Sequence, residues 1–180
     1  MCSSDLVAAD KVEGQATATV SAAVMVNNVT VSMICFAGGA LLGFITIGNL
    51  FKNGLMLGSF AAMFHNAGMA PVVWTSILPH GVCELTAICL AGTAGLRLAG
   101  GILFPGRLPR RRSIPKAARE SLVLFGGSVF LLVIAGIIEG FLSFTPAPAM
   151  LKWMITFATF VFCVFYLLVL PFRRGPLELD

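Results

Sequence analysis

Val82 to Phe104 reads VCELTAICLAGTAGLRLAGGILF, Pro105 to Glu120 reads PGRLPRRRSIPKAARE, and Ser121 to Phe144 reads SLVLFGGSVFLLVIAGIIEGFLSF. The pattern is apolar, basic, apolar. Each apolar block makes about 34 to 36 Å of helix at 1.5 Å per residue, enough to cross a hydrocarbon core of roughly 30 Å. The block between them carries Arg107, Arg110, Arg111, Arg112, Lys116 and Arg119, so the bias of Lys and Arg towards cytoplasmic loops makes it a cytoplasmic connection. Pro115 suits the first turn of the helix that leads into the second apolar block.

Working outward, Thr145, Pro146, Ala147 and Pro148 form a proline turn, and Met150 to Leu170 returns across the bilayer to Arg173 and Arg174. Residues 172–180 are then a cytoplasmic tail. On the other side, Val29 to Phe51 is a continuous apolar run closed by Lys52 and Asn53. Gly54 to Ile77 is interrupted by His65, Asn66, Gly68 and Pro71 and is expected as two short pieces, because Gly and Pro weaken or break a helix. The expected fold is all-α: a polytopic transmembrane helix bundle over residues 27–171, with about five crossings, one of them broken. Residues 1–26 form a polar tail, external if Lys52 is cytoplasmic. A rival reading makes Leu55 to Ile77 a re-entrant pair of half-helices and puts the N-terminus inside.

Composition agrees. The chain has 180 residues, 58% hydrophobic and only 11% charged, with a mean hydropathy of +0.94, which excludes a soluble enzyme or nucleic-acid module. The net charge of +4 comes mainly from the one basic block. Five cysteines (Cys2, Cys35, Cys83, Cys89, Cys163) make no CxxC pair, so neither a disulfide framework nor a zinc ribbon is read. The opening MCSSDL has no basic flank of a signal peptide, and it can be encoded by the end of a common sequencing-library adapter. Met1 to Leu6 are therefore read as not native, with the native chain beginning upstream.

Polar residues in apolar company need a reason, since Asp, Lys or Arg at a helix centre costs about 2.5 to 3.5 kcal/mol on insertion scales. His65, His80, Glu84, Arg97 and Glu139 are such residues. With a helix starting at Val82, Glu84 lies two residues from its outer end, and Glu139 lies about 27 Å beyond Ser121, so both carboxylates are expected near the outer leaflet. His80 and Glu84, at i and i+4, share a face if His80 is helical. A ligand, proton or metal site is one reading; the other has Glu84 at a helix N-terminus, His80 capping a turn and Glu139 bonding a neighbouring helix. Arg97 is expected to snorkel to phosphates or to pair with a neighbour. Gly39 with Gly43, Gly54 with Gly58, Ala91 with Gly95, and Gly136 with Gly140 recur at the spacing of close helix packing. Trp74, Lys152 and Trp153 read as interface anchors, and Asn28, Val29, Thr30 as a chance match to a glycosylation triplet.

The stretches NNVTVSMICFAGGALLG (27–43), NGLMLGSFAAMF (53–64), ILPHGVCELTAICLAGTAGLRL (77–98), PGRL (105–108) and LLVIAGIIEGF (131–141) together resemble the stage II sporulation protein M family. Pro79, His80, Gly81 and Glu84, then Gly95, Leu96 and Arg97, then Glu139 and Gly140 are the motif positions. The resemblance implies a multi-pass membrane protein whose namesake works with two cell-wall hydrolases during engulfment. It brings no catalytic role for any of these residues. Longer members begin with a cytoplasmic helical region, a first membrane helix and an external segment. The expected function is a non-enzymatic scaffold or assembly partner for envelope or cell-wall proteins in the cytoplasmic membrane. Its expected partners are membrane lipids, cell-wall hydrolases or other membrane proteins, with no nucleic acid, cofactor or metal. The alternative is a small transporter, or an intramembrane metal or proton site, built on Glu84 and Glu139.

Overall fold

The computed structural model describes residues 19, 22–144 and 147–172. The expectations for Met1 to Leu6, for most of the polar tail, for the first half of the proline turn and for nearly all of the C-terminal tail lie outside these residues. Five helices follow one another: α1 over 22–37, α2 (Phe44–Asn66), α3 (Ala70–Leu103), α4 (Arg110–Phe144) and α5 (Ala149–Phe172). The fold is an all-α bundle. Four of the helices are long and apolar enough to cross a membrane: Ala22–Leu41, Ala70–Leu103, Arg110–Leu142 and Ala149–Leu168. The chain is already helical at Ala22, inside the stretch expected to be a polar tail.

The run from Val29 to Phe51 is not one span. It breaks at a single-turn 3-10 helix, Gly38–Leu41, after which Leu42 and Gly43 take left-handed φ values of 60° and 83°, and the Gly43 N–H donates to the Gly38 carbonyl at 3.2 Å. Composition alone only weakens a helix at AGGALLG, by about 1 kcal/mol per Gly relative to Ala. The hairpin is closed by contacts beyond the turn. The Thr46 hydroxyl donates to the Cys35 carbonyl at 2.7 Å, and the Asn49 amide donates to the Val31 carbonyl at 3.1 Å, drawing α2 back along α1. Lys52, expected at a span's end, is exposed on α2 well beyond the turn.

The second break falls at Ala67–Met69, where Gly68 has φ 69° and the Met69 N–H donates to the Phe64 carbonyl at 3.0 Å. A loop before Val82 does not exist: α3 starts at Ala70, with Pro71 in its first turn, and runs unbroken through Pro79. A proline inside a helix removes one backbone donor, a loss that membrane helices tolerate when neighbours pack around it, and Pro79 is fully buried. Likewise α4 begins at Arg110, so Pro115 lies inside it, and most of the expected basic loop is helix.

Small residues set the packing. Cβ atoms placed on Gly39 or Gly95 would strike the backbone of the other helix, Gly95's striking the Cys35 carbonyl, so α1 and α3 meet backbone to backbone. Gly101 of α3 makes room for the Ala117 methyl group of α4, which a Cβ at Gly101 would strike. Ser113 and Ser128 of α4 donate to the carbonyls of Gly101 and Ala87, each at 2.8 Å, fixing the α3–α4 hairpin. One core joins Cys83, Ala87 and Leu90 of α3 to Leu131, Leu132 and Ala135 of α4 and Cys163 of α5. A second joins Val31 and Cys35 of α1 to Ile88 and Ala91 of α3, flanked by Phe125, whose ring stacks on Phe36 at 4.5 Å.

Candidate functional site

Glu84 is 7% exposed on α3 and Glu139 is 6% exposed on α4. The Asn28 side chain, on α1, hydrogen-bonds the Glu84 carboxyl, and Glu139 is near enough for its charge to act on Glu84. His80 lies one turn before Glu84 on the same helix, with its Nδ1 buried and without a hydrogen-bond partner among the described residues. Three helices therefore bring an amide, two carboxyl groups and an imidazole towards one region. His65, expected to approach the same level, is exposed near the end of α2.

Depth differs from the expectation. Because α3 starts at Ala70 rather than Val82, Glu84 stands fourteen residues, about 21 Å, from the helix start, so neither a dipole role for Glu84 nor a turn cap by His80 applies. The 3.6 Å approach of Cys83 and Cys163 registers α5 on α3. With the two helices running in the same direction, Trp74 comes to the level of Lys152 and Trp153. Counting along α3 from Trp74, Glu84 is about 15 Å away and Arg97 about 34 Å away. Glu139 lies higher on α4, five residues from its end. The two carboxyl groups are thus staggered along the bundle rather than level.

Arg97 pairs. Its Nε donates to Glu120 Oε2 at 2.7 Å and its Nη2 lies 2.5 Å from the same oxygen, with side-chain exposures of 45% and 16%. The bridge ties α3 to α4 where the apolar part of α4 begins. Of the basic group, Arg107, Arg110, Arg111, Arg112 and Arg119 are exposed and Lys116 is half-buried. Arg110, Arg111 and Arg112 crowd the first turn of α4, where the helix dipole disfavours cations by about 0.3 to 1 kcal/mol each. Something other than helix stability places them there. Among the described residues, no three His, Cys, Asp or Glu side chains are grouped to hold a metal ion.

Two partners escaped the sequence reading. Asn28 reads in the sequence only as part of a triplet, yet Asn28, Ser32, Cys35 and Gly39 form a small and polar stripe at helical spacing that marks the inward face of α1. Glu120, the one acid in the basic block, becomes Arg97's partner only once the α3–α4 register is known.

Fold and site define a multi-pass α-helical membrane protein with buried carboxyl groups. The chain belongs to the stage II sporulation protein M family, whose model matches residues 3–144. It is 28% identical over 131 residues to an uncharacterized protein of Methanocaldococcus jannaschii, a match covering 71% of this chain and 58% of the relative. The chain thus spans a little over half the length of that curated relative. No solved structure matches.

Proposed function

We propose that the protein is a non-enzymatic scaffold or assembly partner for envelope proteins in the cytoplasmic membrane, with the α3–α4 connection facing the cytoplasm. The observation that supports this most is the contrast between its glycines. Gly39, Gly95 and Gly101 are consumed in internal helix contacts, whereas a Cβ placed on Gly54 or Gly58 of α2 would meet only open space, and these two glycines lie in a surface groove lined by Phe51, Leu55, Ser59 and Ala62. A chain whose small-residue contacts are used inside the bundle and whose α2 face stays open suits a role in holding partners. In a spore former, those partners are cell-wall hydrolases of engulfment, the role that the resemblance to the family's namesake implies. The exposed Arg110, Arg111 and Arg112 fit anionic headgroups, which attract each such charge by about 1 kcal/mol near the surface.

Affinity capture in mild detergent tests the reading, comparing the native sequence with Gly54→Leu and Gly58→Leu. An envelope protein retained by the native chain and lost with the filled groove supports it. Equal recovery from both, or none from either, counts against it.

A second reading rests on the buried Glu84 and Glu139 with His80 beside them: a proton or ion site. Glu84→Gln separates the two. A scaffold keeps its partner, whereas a proton or ion site loses activity in reconstituted vesicles at unchanged expression.

A further inference from the structure

Cys83 of α3 and Cys163 of α5 are 0% and 3% exposed, and their sulfurs lie 3.6 Å apart. They belong to one apolar cluster with Ala87 and Leu131. The remaining described cysteines are differently placed: Cys35 receives the Asn49 amide at 3.3 Å, and Cys89 is exposed. A disulfide needs sulfurs about 2.05 Å apart, so the pair must close by roughly 1.5 Å, within the reach of side-chain rotation and a small helix shift.

We propose that Cys83 and Cys163 are an oxidisable pair that forms a disulfide within the bilayer and staples α5 to α3. The thiols lie next to Glu84, about halfway between the level of Trp74 and that of Arg97, where water-soluble oxidants do not reach. The oxidant is therefore of the lipid-soluble quinone class. Both S–H bonds break and one S–S bond forms, and the two electrons and two protons pass to the quinone, which leaves as the quinol. α5 gains most from such a staple. It packs on α3, shares the core with α4 through Cys163, and meets α4 again through Tyr166, which lies against Gly127 and stacks on Phe130 with ring centres 6.0 Å apart. The bridge closes a loop of 80 residues, so it also removes much freedom from the unfolded chain.

The test uses the full chain in lipid nanodiscs, with a fully substituted benzoquinone as the probe so that ring addition by a thiol is blocked. After oxidation the protein is denatured, alkylated with N-ethylmaleimide and weighed. The five cysteines of the chain should label before oxidation and three after it, the loss of two being reversed by a phosphine reductant. Peptide mapping should join Cys83 to Cys163. The oxidised protein should melt at a higher temperature than the reduced one, a shift that Cys83→Ser and Cys163→Ser abolish. Each variant should show four labelled sites with or without the quinone. Five labelled sites after oxidation, or a link between any other two cysteines, overturns the proposal.

Discussion

At the scale of single residues, the partner of a buried polar group decides what a substitution does. Glu84 accepts from Asn28 while 7% exposed, so Glu84→Gln, which keeps size and much of the hydrogen bonding, should leave the melting temperature nearly unchanged. Glu84→Leu strands the buried Asn28 amide and should cost about 1 to 3 kcal/mol. Thermal melts of both variants in one detergent check this, and equal behaviour of Gln and Leu would remove the hydrogen bond from the account. Glycines divide in the same manner. Gly95→Ala puts a methyl group into the Cys35 carbonyl and should cost roughly 1 to 3 kcal/mol, whereas Gly54→Ala meets open space and should fall within about 0.5 kcal/mol of the native chain. The sequence showed both glycines at the same four-residue spacing. Nothing local to either says which one meets a neighbouring helix.

At the scale of elements, the α1–α2 turn is where reading by composition and the folded chain part. Leu42 is a non-glycine residue at φ 60° and 42% exposed, so it gains little from packing and bears the steric cost of a left-handed backbone. Leu42→Gly should therefore be neutral or stabilise by about 1 kcal/mol. In an uninterrupted helix over Val29 to Phe51 the same change would destabilise by about 1 kcal/mol, so the sign alone separates the two structures. Urea titration at fixed detergent reads it. The register of α3 is the other element-scale result. Moving its start from Val82 to Ala70 carries Glu84 from a helix end to mid-helix, and with it the meaning of the PHGxxE block changes from a capped turn to one face of a continuous helix.

At the scale of the molecule, five helices turning back on one another give alternating ends. The basic first turn of α4 and the α1–α2 turn lie at the Arg97 end of α3, and the α2–α3 turn lies at the Trp74 end. Single cysteines at Arg111 and Leu42, in a background lacking native cysteines, should be labelled from the same, cytoplasmic side of sealed vesicles, and one at Gly68 from the opposite side. Labelling of Leu42→Cys together with Gly68→Cys from the outer side would show that α2 does not cross and would return the re-entrant reading. External labelling of Arg111→Cys would reverse the whole orientation.

The sequence by itself determined the helical class, the basic connection, and the small set of polar residues that the interior must accommodate. In lipid each backbone amide must find its partner within the segment, so any long apolar run is a helix whatever surrounds it. That condition is local. Where the runs break was not local: AGGALLG permits a turn, but Thr46 and Asn49 reaching back to Cys35 and Val31 select it, and Pro79 permits a break that buried packing suppresses. The partners Asn28, Glu120 and Cys163 likewise stand 56, 23 and 80 residues from Glu84, Arg97 and Cys83. Only tertiary structure sets the helix register that joins them, because a hydrogen bond or a thiol contact requires atoms within about 4 Å, and sequence separation carries no such distance.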